Sequence, residues 1–101
     1  MVVELPGAPI AESLREDGCY DLIERGVLVG RLVWVEKPSG RHRHAGWWLT
    51  VNGMPSELIY RVPAGRLDDL ARARRDSVCM SLGLAEQILL ARQERLTGRS
   101  R

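Results

Sequence analysis

Residues 27–51 read VLVGRLVWVEKPSGRHRHAGWWLTV, the clearest structural signal in the chain. Two apolar runs, residues 27–35 and 47–51, flank a polar segment that begins at Lys37 and ends at His44. Runs rich in Val and Trp are typical of β-strands. The simplest structure that joins them is a β-hairpin whose connecting tip carries positive charge. All three tryptophans of the chain lie in its two arms.

The sequence on the N-terminal side of this hairpin predicts one more strand. Residues 19–24 form a short apolar run, and Arg25-Gly26 is a plausible tight reversal into a long strand over residues 27–36. Because both faces of that long strand are largely apolar, we expect it to lie in the centre of the sheet.

The sequence on the C-terminal side of this hairpin predicts a further strand. The second arm of the hairpin runs from about His44 to Val51, with Trp47 on the core face and Trp48 on the opposite one. Asn52-Gly53 is a strong hairpin signal, since both residues accept a positive φ. A fourth strand, residues 57–62 (ELIYRV), is expected after it.

Helices are predicted at both ends of the chain. Residues 9–17 can form a short helix with Ile10 and Leu14 on one face. Helical spacing returns at residues 66–75 and 82–96, and Ser81 is a candidate N-cap, so a break near residues 76–81 would divide the C-terminal region in two. The predicted fold class is α+β: an antiparallel three- or four-stranded β-meander, packed by a short N-terminal helix and one or two C-terminal helices.

Length and composition are those of one small globular domain. The chain has 101 residues, 45% of them apolar and 28% charged. We expect a single domain over residues 1–101, with residues 1–8 and 97–101 frayed. Two cysteines far apart in sequence, no signal peptide and no apolar run of membrane-spanning length predict a cytoplasmic protein that does not enter a membrane.

Charge is unevenly distributed along the chain, although the net charge is only +2. The first 30 residues are acidic and residues 31–66 are basic. This asymmetry favours an anionic partner for the middle of the chain. The other interpretation is that the arginines reflect codon usage rather than binding, because arginine accounts for every Lys or Arg position except Lys37.

The candidate binding residues lie mainly at the hairpin tip. Arg side chains suit phosphates and guanine edges, and a tryptophan offers a stacking face for a base. A second basic cluster on the predicted helix could extend the same surface, although neighbouring aspartates also fit a salt-bridged solvent face. The candidates are Lys37, Arg41, His42, Arg43, His44 and Trp48 at the tip, with Arg72, Arg74 and Arg75 in the second cluster. The alternative for the tip is a solvated loop.

Motifs that carry chemistry are not found in this sequence. His42-x-His44 could form half of a metal site, but nothing in the sequence places a third ligand beside it. Cys79 is expected to be a small buried apolar residue rather than a reactive thiol. We therefore predict no metal, no cofactor and no enzymatic activity.

The predicted order of elements resembles two known architectures. A three-stranded antiparallel sheet followed by a helix, here residues 27–36, 47–51 and 82–96, looks like the small DNA-binding arm domains of phage and transposon integrases. With the predicted helix at residues 9–17 in front, it also looks like the double-stranded-RNA-binding fold. The lysine-rich helix start of that RNA-binding family is absent here, so DNA is the favoured nucleic acid.

Two functions are expected from these observations. The first is a small bacterial or mobile-element accessory protein that contacts nucleic acid through the basic tip. The second is an inhibitor or adaptor that binds an acidic protein surface, such as a phage-encoded inhibitor of a host defence system (anti-CRISPR-like). The wide apolar stripe of the last helix further predicts a homodimer through that helix.

Overall fold

The computed structural model describes residues 10–97, with side chains as far as Arg92. It confirms the predicted α+β fold. One antiparallel sheet has its five strands in the order β1-β2-β3-β4-β5, so that each strand pairs with its neighbours in sequence, and one helix packs on the sheet. The elements are β1 (Ile10–Leu14), β2 (Tyr20–Glu24), β3 (Val27–Val35), β4 (Gly46–Thr50), β5 (Glu57–Arg61), a 3-10 turn (Ala64–Arg66) and α1 (Leu70–Thr97).

The predicted hairpin forms the middle of the sheet as β3 and β4. Leu32 pairs with Leu49, and Trp34 pairs with Trp47. These four side chains lie on one face because side chains alternate along a strand. All four are buried beneath α1, whose Ala73, Leu82, Ala85 and Leu89 complete the core.

Trp47 joins the sheet to the helix. Its side chain is fully buried, and its Nε1–H donates a hydrogen bond of 3.0 Å to Ser77 Oγ on α1. The Ser77 hydroxyl in turn donates to the Ala73 carbonyl, so the buried polar atoms of this contact are paired. Since Trp47 points toward α1, its neighbour Trp48 points to the opposite face of the sheet, which we call the helix-free face.

The predicted N-terminal helix is wrong. Within residues 9–17, residues 10–14 instead form β1, which pairs with β2 from Ile10–Glu24 to Leu14–Tyr20. A helix this short cannot stand alone, whereas pairing with β2 satisfies the backbone of the segment at once. The sheet therefore has five strands rather than three or four.

Of the one or two C-terminal helices that the sequence allowed, the structure has one. α1 is continuous from Leu70 to Thr97, and Ser81 lies fully buried in its interior rather than at an N-cap. Helix packing against the sheet outweighs the propensity cost of about 1 kcal/mol for Gly83. The helix begins after Asp69, whose Oδ1 accepts a hydrogen bond from the Arg72 N–H at 3.3 Å.

Two carboxyl groups meet where β1 approaches α1. Glu86 is half-buried, and its pKa is raised to about 7, first by desolvation and then by a hydrogen bond and charge repulsion from Glu12. The folded state thus binds a proton at Glu86 more tightly than the unfolded chain does. Protonation of Glu86 therefore stabilises the folded state. This stabilisation is fully present below about pH 4.5 and is lost as the pH rises through 7.

Replacing Glu86 by Gln removes the charge that is disfavoured here. We expect Glu86→Gln to raise the free energy of unfolding at pH 8 by about 1 kcal/mol, since the site is partly solvated, and to change it little at pH 4.5. Urea denaturation at the two pH values measures this. Glu16→Gln, at an exposed position, is the control and should have no such pH-dependent effect. An equal effect of Glu86→Gln at both pH values would contradict the interpretation.

Candidate partner-binding face

The loop between β3 and β4, residues 36–45, folds back over the helix-free face; we call it the basic loop. The Trp48 Nε1–H donates to the His44 carbonyl at 2.9 Å, and the ring centroids of His42 and Trp48 lie 4.9 Å apart. Trp48 is consequently only 7% exposed. Its ring is therefore not available as the stacking face that the sequence suggested, and serves instead to hold the loop.

A second contact fixes the basic loop to the connection between β4 and β5. His42 Nε2 lies 3.3 Å from Ser56 Oγ, within hydrogen-bond distance. Within the loop, the Ser39 N–H donates to the His42 carbonyl at 2.7 Å. The two histidines thus anchor the loop, and its backbone is ordered before any partner arrives.

The cations of the basic loop remain directed to solvent. Lys37, Arg41 and Arg43 are exposed, and none of them forms an ion pair with another residue of the described part of the chain. Several basic side chains elsewhere are paired: Arg31, for example, lies 2.8 Å from Asp21. The unneutralised positive charge of the loop is therefore available to an anionic partner.

A groove of about 960 Å³ opens beside the basic loop on the helix-free face. Arg41 and His42 line it on the loop side, and β3, the last residue of β4 and the β4–β5 connection supply the rest. Leu28 and Met54 are 50% and 51% exposed here. None of the described side chains that line the groove carries a carboxylate. The groove is therefore lined by cationic and apolar side chains.

Arg31 also lines the groove, but its charge is already balanced. Asp21 accepts hydrogen bonds from Arg31 Nε at 2.8 Å and from Arg15 Nη1 at 3.3 Å. The hydrogen bond from Arg31 is the largest cause that lowers the pKa of Asp21. Arg31 therefore fixes the wall of the groove, while Arg41 supplies the unpaired charge.

The second basic cluster does not share this face. Arg74 is half-buried on the helix side, with its guanidinium carbon 5.5 Å from the Trp47 ring centroid and with Nη2 donating to the Gly18 carbonyl. Arg72 lies 3.8 Å from Asp76, in the salt-bridged arrangement that the sequence allowed. Arg75 is exposed and has no ion pair among the described residues. The structure thus gives Arg74 a structural contact and separates all three from the basic loop.

Metal-ligating residues do not cluster in the described part of the chain, where no three His, Cys, Asp or Glu side chains could hold an ion. Cys19 is buried and Cys79 is exposed, which corrects the expected burial of Cys79. No helix among the described residues is long and apolar enough to cross a membrane.

Sequence reasoning missed the groove and the folded-back path of the loop. The Asn52-Gly53 turn was predicted, and Gly53 has the expected positive φ of 81°. However, the contact between His42 and Ser56 joins residues that no local pattern connects. The only local signal was that His42, His44 and Trp48 share one face if the strand is extended.

In comparisons with protein-family models, with curated proteins and with solved structures, no match to this chain was found.

Proposed function

We propose that this protein is a non-enzymatic accessory protein that binds nucleic acid, DNA in preference to RNA, through the basic loop. The observation that supports this most is a loop, anchored at His42 and His44, that carries three exposed cations without an ion pair to any described residue. An anchored loop loses little conformational entropy when it binds. The proposal includes a cytoplasmic location and an origin in a bacterium or a mobile element.

The proposed contacts are with the phosphate backbone. Lys37, Arg41 and Arg43 each neutralise one phosphate, and the binding constant then falls with salt at a log–log slope of about −2.7, roughly 40-fold between 50 and 200 mM. Because Trp48 is covered by His42, base stacking on that ring is not part of the proposal. Duplex DNA is therefore the first ligand to test.

Removing two of the three charges tests the proposal. We expect Arg41→Ala with Arg43→Ala to weaken duplex binding roughly 10- to 100-fold at 50 mM salt and to reduce the salt slope to about −0.9. Fluorescence anisotropy with a labelled duplex measures both quantities. The melting temperature should not change, since both side chains are exposed and have no ion pair in the described structure.

A matched control removes two charges elsewhere. Arg25→Asn with Arg61→Ala takes away two exposed arginines outside the basic loop, and Asn suits the positive φ of 51° at Arg25. This variant should keep the wild-type slope. Equal loss of affinity in both double variants would mean that only net charge matters, and would refute the assignment of the site to the loop.

One observation favours a second function, binding to an acidic protein surface as an inhibitor or adaptor. Leu28 and Met54 are half-exposed in the groove beside Arg41. A phosphate backbone would not cover them, whereas protein interfaces are enriched in Met and Arg. Under this alternative, wild type shows no duplex binding at 50 mM salt, and Leu28→Glu abolishes capture of a stoichiometric, nuclease-insensitive protein partner.

A further inference from the structure

A small pocket opens on the helix side of the sheet, where the end of β1 meets the first turns of α1. Its volume is about 290 Å³, close to the lower limit of about 300 Å³ for small-molecule sites. The pocket shares no lining residue with the groove beside the basic loop. We call it the helix-side pocket, and the lining side chains that matter here are Leu14, Tyr20, Arg74, Arg75 and Val78.

One part of the helix-side pocket is apolar. Leu14, the last residue of β1, is 64% exposed although it pairs with Tyr20 of β2. The Tyr20 ring packs 6.2 Å from the Trp47 ring, measured between centroids. Val78 of α1 is half-buried and also lines the pocket. A ligand that enters the pocket therefore finds two aliphatic side chains and one aromatic ring, and it shields Leu14 from water.

A fixed cation also lines the pocket. The Arg74 Nη2 donates to the Gly18 carbonyl, and the guanidinium carbon lies 5.5 Å from the Trp47 ring centroid. A Cβ atom at Gly18 would occupy the space that the guanidinium takes, so glycine at this position makes room for it. A carbonyl and a ring face thus hold Arg74 in place. Arg74 has no ion pair with any described residue.

Arg75 adds a second cation to the same pocket. It is exposed, and it too has no ion pair with any described residue. None of its helical neighbours three or four positions away is an acid; they are Ala71, Arg72, Val78 and Cys79. No side chain that lines the pocket carries a carboxylate. Two cations without an acidic partner therefore give this pocket a preference for an anion.

We propose that the helix-side pocket binds a small carboxylic acid that carries an apolar alkyl or aryl group. The ionised carboxylate accepts hydrogen bonds from Arg75 and from those N–H groups of Arg74 that do not bind Gly18. The apolar group contacts Leu14 and Val78. This site is separate from the basic loop, and the proposal does not depend on nucleic-acid binding.

The chemistry of the lining residues identifies the ligand class. The planar guanidinium fork matches a carboxylate, which accepts two parallel hydrogen bonds. The pocket holds the volume of about ten water molecules, which limits the ligand to about ten non-hydrogen atoms. A polynucleotide is far larger than this space. Ligands of this size bind weakly, and we expect a Kd on the order of 1 mM.

Nuclear magnetic resonance titration of the full chain with 3-phenylpropanoate tests the proposal. We expect saturable shifts of the backbone amides around Leu14, Tyr20 and Val78. The neutral amide 3-phenylpropanamide has the same shape, and acetate has the charge without the apolar group. Both should bind at least tenfold more weakly. Equal binding of acid and amide, shifts confined to the basic loop, or no saturation up to about 20 mM would each overturn the proposal.

Removal of the exposed cation tests the charge contact. Arg75→Gln should weaken 3-phenylpropanoate binding about tenfold, and folding should not suffer because Arg75 has no ion pair in the described structure. Arg72→Gln is the matched control, since it removes the same charge one turn earlier on α1 and outside the pocket. The control should keep the wild-type affinity. Equal loss in the two variants would mean that net charge alone attracts the probe, and would refute the site.

A carboxylate built into the pocket should compete with the ligand. Leu14→Glu places an acid beside Arg75, and we expect it to abolish saturable binding of 3-phenylpropanoate. Ala11→Glu adds the same charge to β1 on the helix-free face, as side chains alternate along a strand, and should bind as wild type does. Circular dichroism confirms that both variants are folded. Wild-type affinity in folded Leu14→Glu would exclude the helix-side pocket as the binding site.

Discussion

Gly46→Ala is expected to lower the free energy of unfolding by at least about 3 kcal/mol. Gly46 has a φ of 150°, a conformation that residues with a Cβ rarely adopt, and an added Cβ would collide with the Tyr60 carbonyl. That carbonyl belongs to β5, so the obstacle is backbone and cannot rotate away. The substitution must therefore separate the first residue of β4 from β5 or distort both strands.

Urea denaturation followed by circular dichroism measures the effect of Gly46→Ala. Gly40→Ala is the matched control, because Gly40 lies in the basic loop where a Cβ would have open space. We expect the control to stay within about 0.5 kcal/mol of wild type. A Gly46→Ala protein as stable as Gly40→Ala would mean that β4 does not meet β5 as described.

Trp48→Ala is expected to have the second-largest effect, a loss of about 3 kcal/mol together with release of the basic loop. The substitution removes the ring that contacts His42 and the Nε1–H that donates to His44. Amide hydrogen exchange should accelerate throughout residues 36–45 while the core of α1 stays protected. Duplex affinity should also fall, because the loop cations then lose their fixed positions.

Trp48→Phe distinguishes the two contributions of that ring. Phe keeps an aromatic face for His42 but lacks the hydrogen bond to the His44 carbonyl, and we expect it to cost about 1 kcal/mol. The loop should remain partly protected from exchange. If Trp48→Ala left exchange in residues 36–45 unchanged, Trp48 would not be the anchor of the loop.

The sequence predicted those elements whose local pattern agreed with their tertiary surroundings. The alternation of Trp47 and Trp48 correctly indicated which ring faces the core, and the Asn52-Gly53 turn correctly indicated a strand after it. β1 was missed because Ile10 and Leu14 also satisfy helical spacing, and only pairing with β2 decides between the two. The sequence left open whether the C-terminal region forms one helix or two, for a related reason: Ser81 and Gly83 are poor helix residues locally, but the sheet holds their helix in place.

The sequence predicted which charged residues the candidate site contains, but not how the loop that carries them is folded. Consecutive basic residues between two strands indicated the charged loop, and the positions of Lys37, Arg41 and Arg43 agree with that. The return of the loop over Trp48 depends on Ser56, which lies 14 residues after His42 in the connection between β4 and β5. Arg74 appeared equivalent to its neighbours, although its contact with Trp47 requires the packed helix.

The basic loop lies on one face of the sheet and α1 packs on the other. The outer side of the helix is therefore separated from the loop cations by the thickness of the sheet. The exposed thiol of Cys79 on α1 can carry a fluorophore or a surface tether without approaching the loop. The protein can thus be labelled or immobilised from behind while its basic loop stays free for a partner.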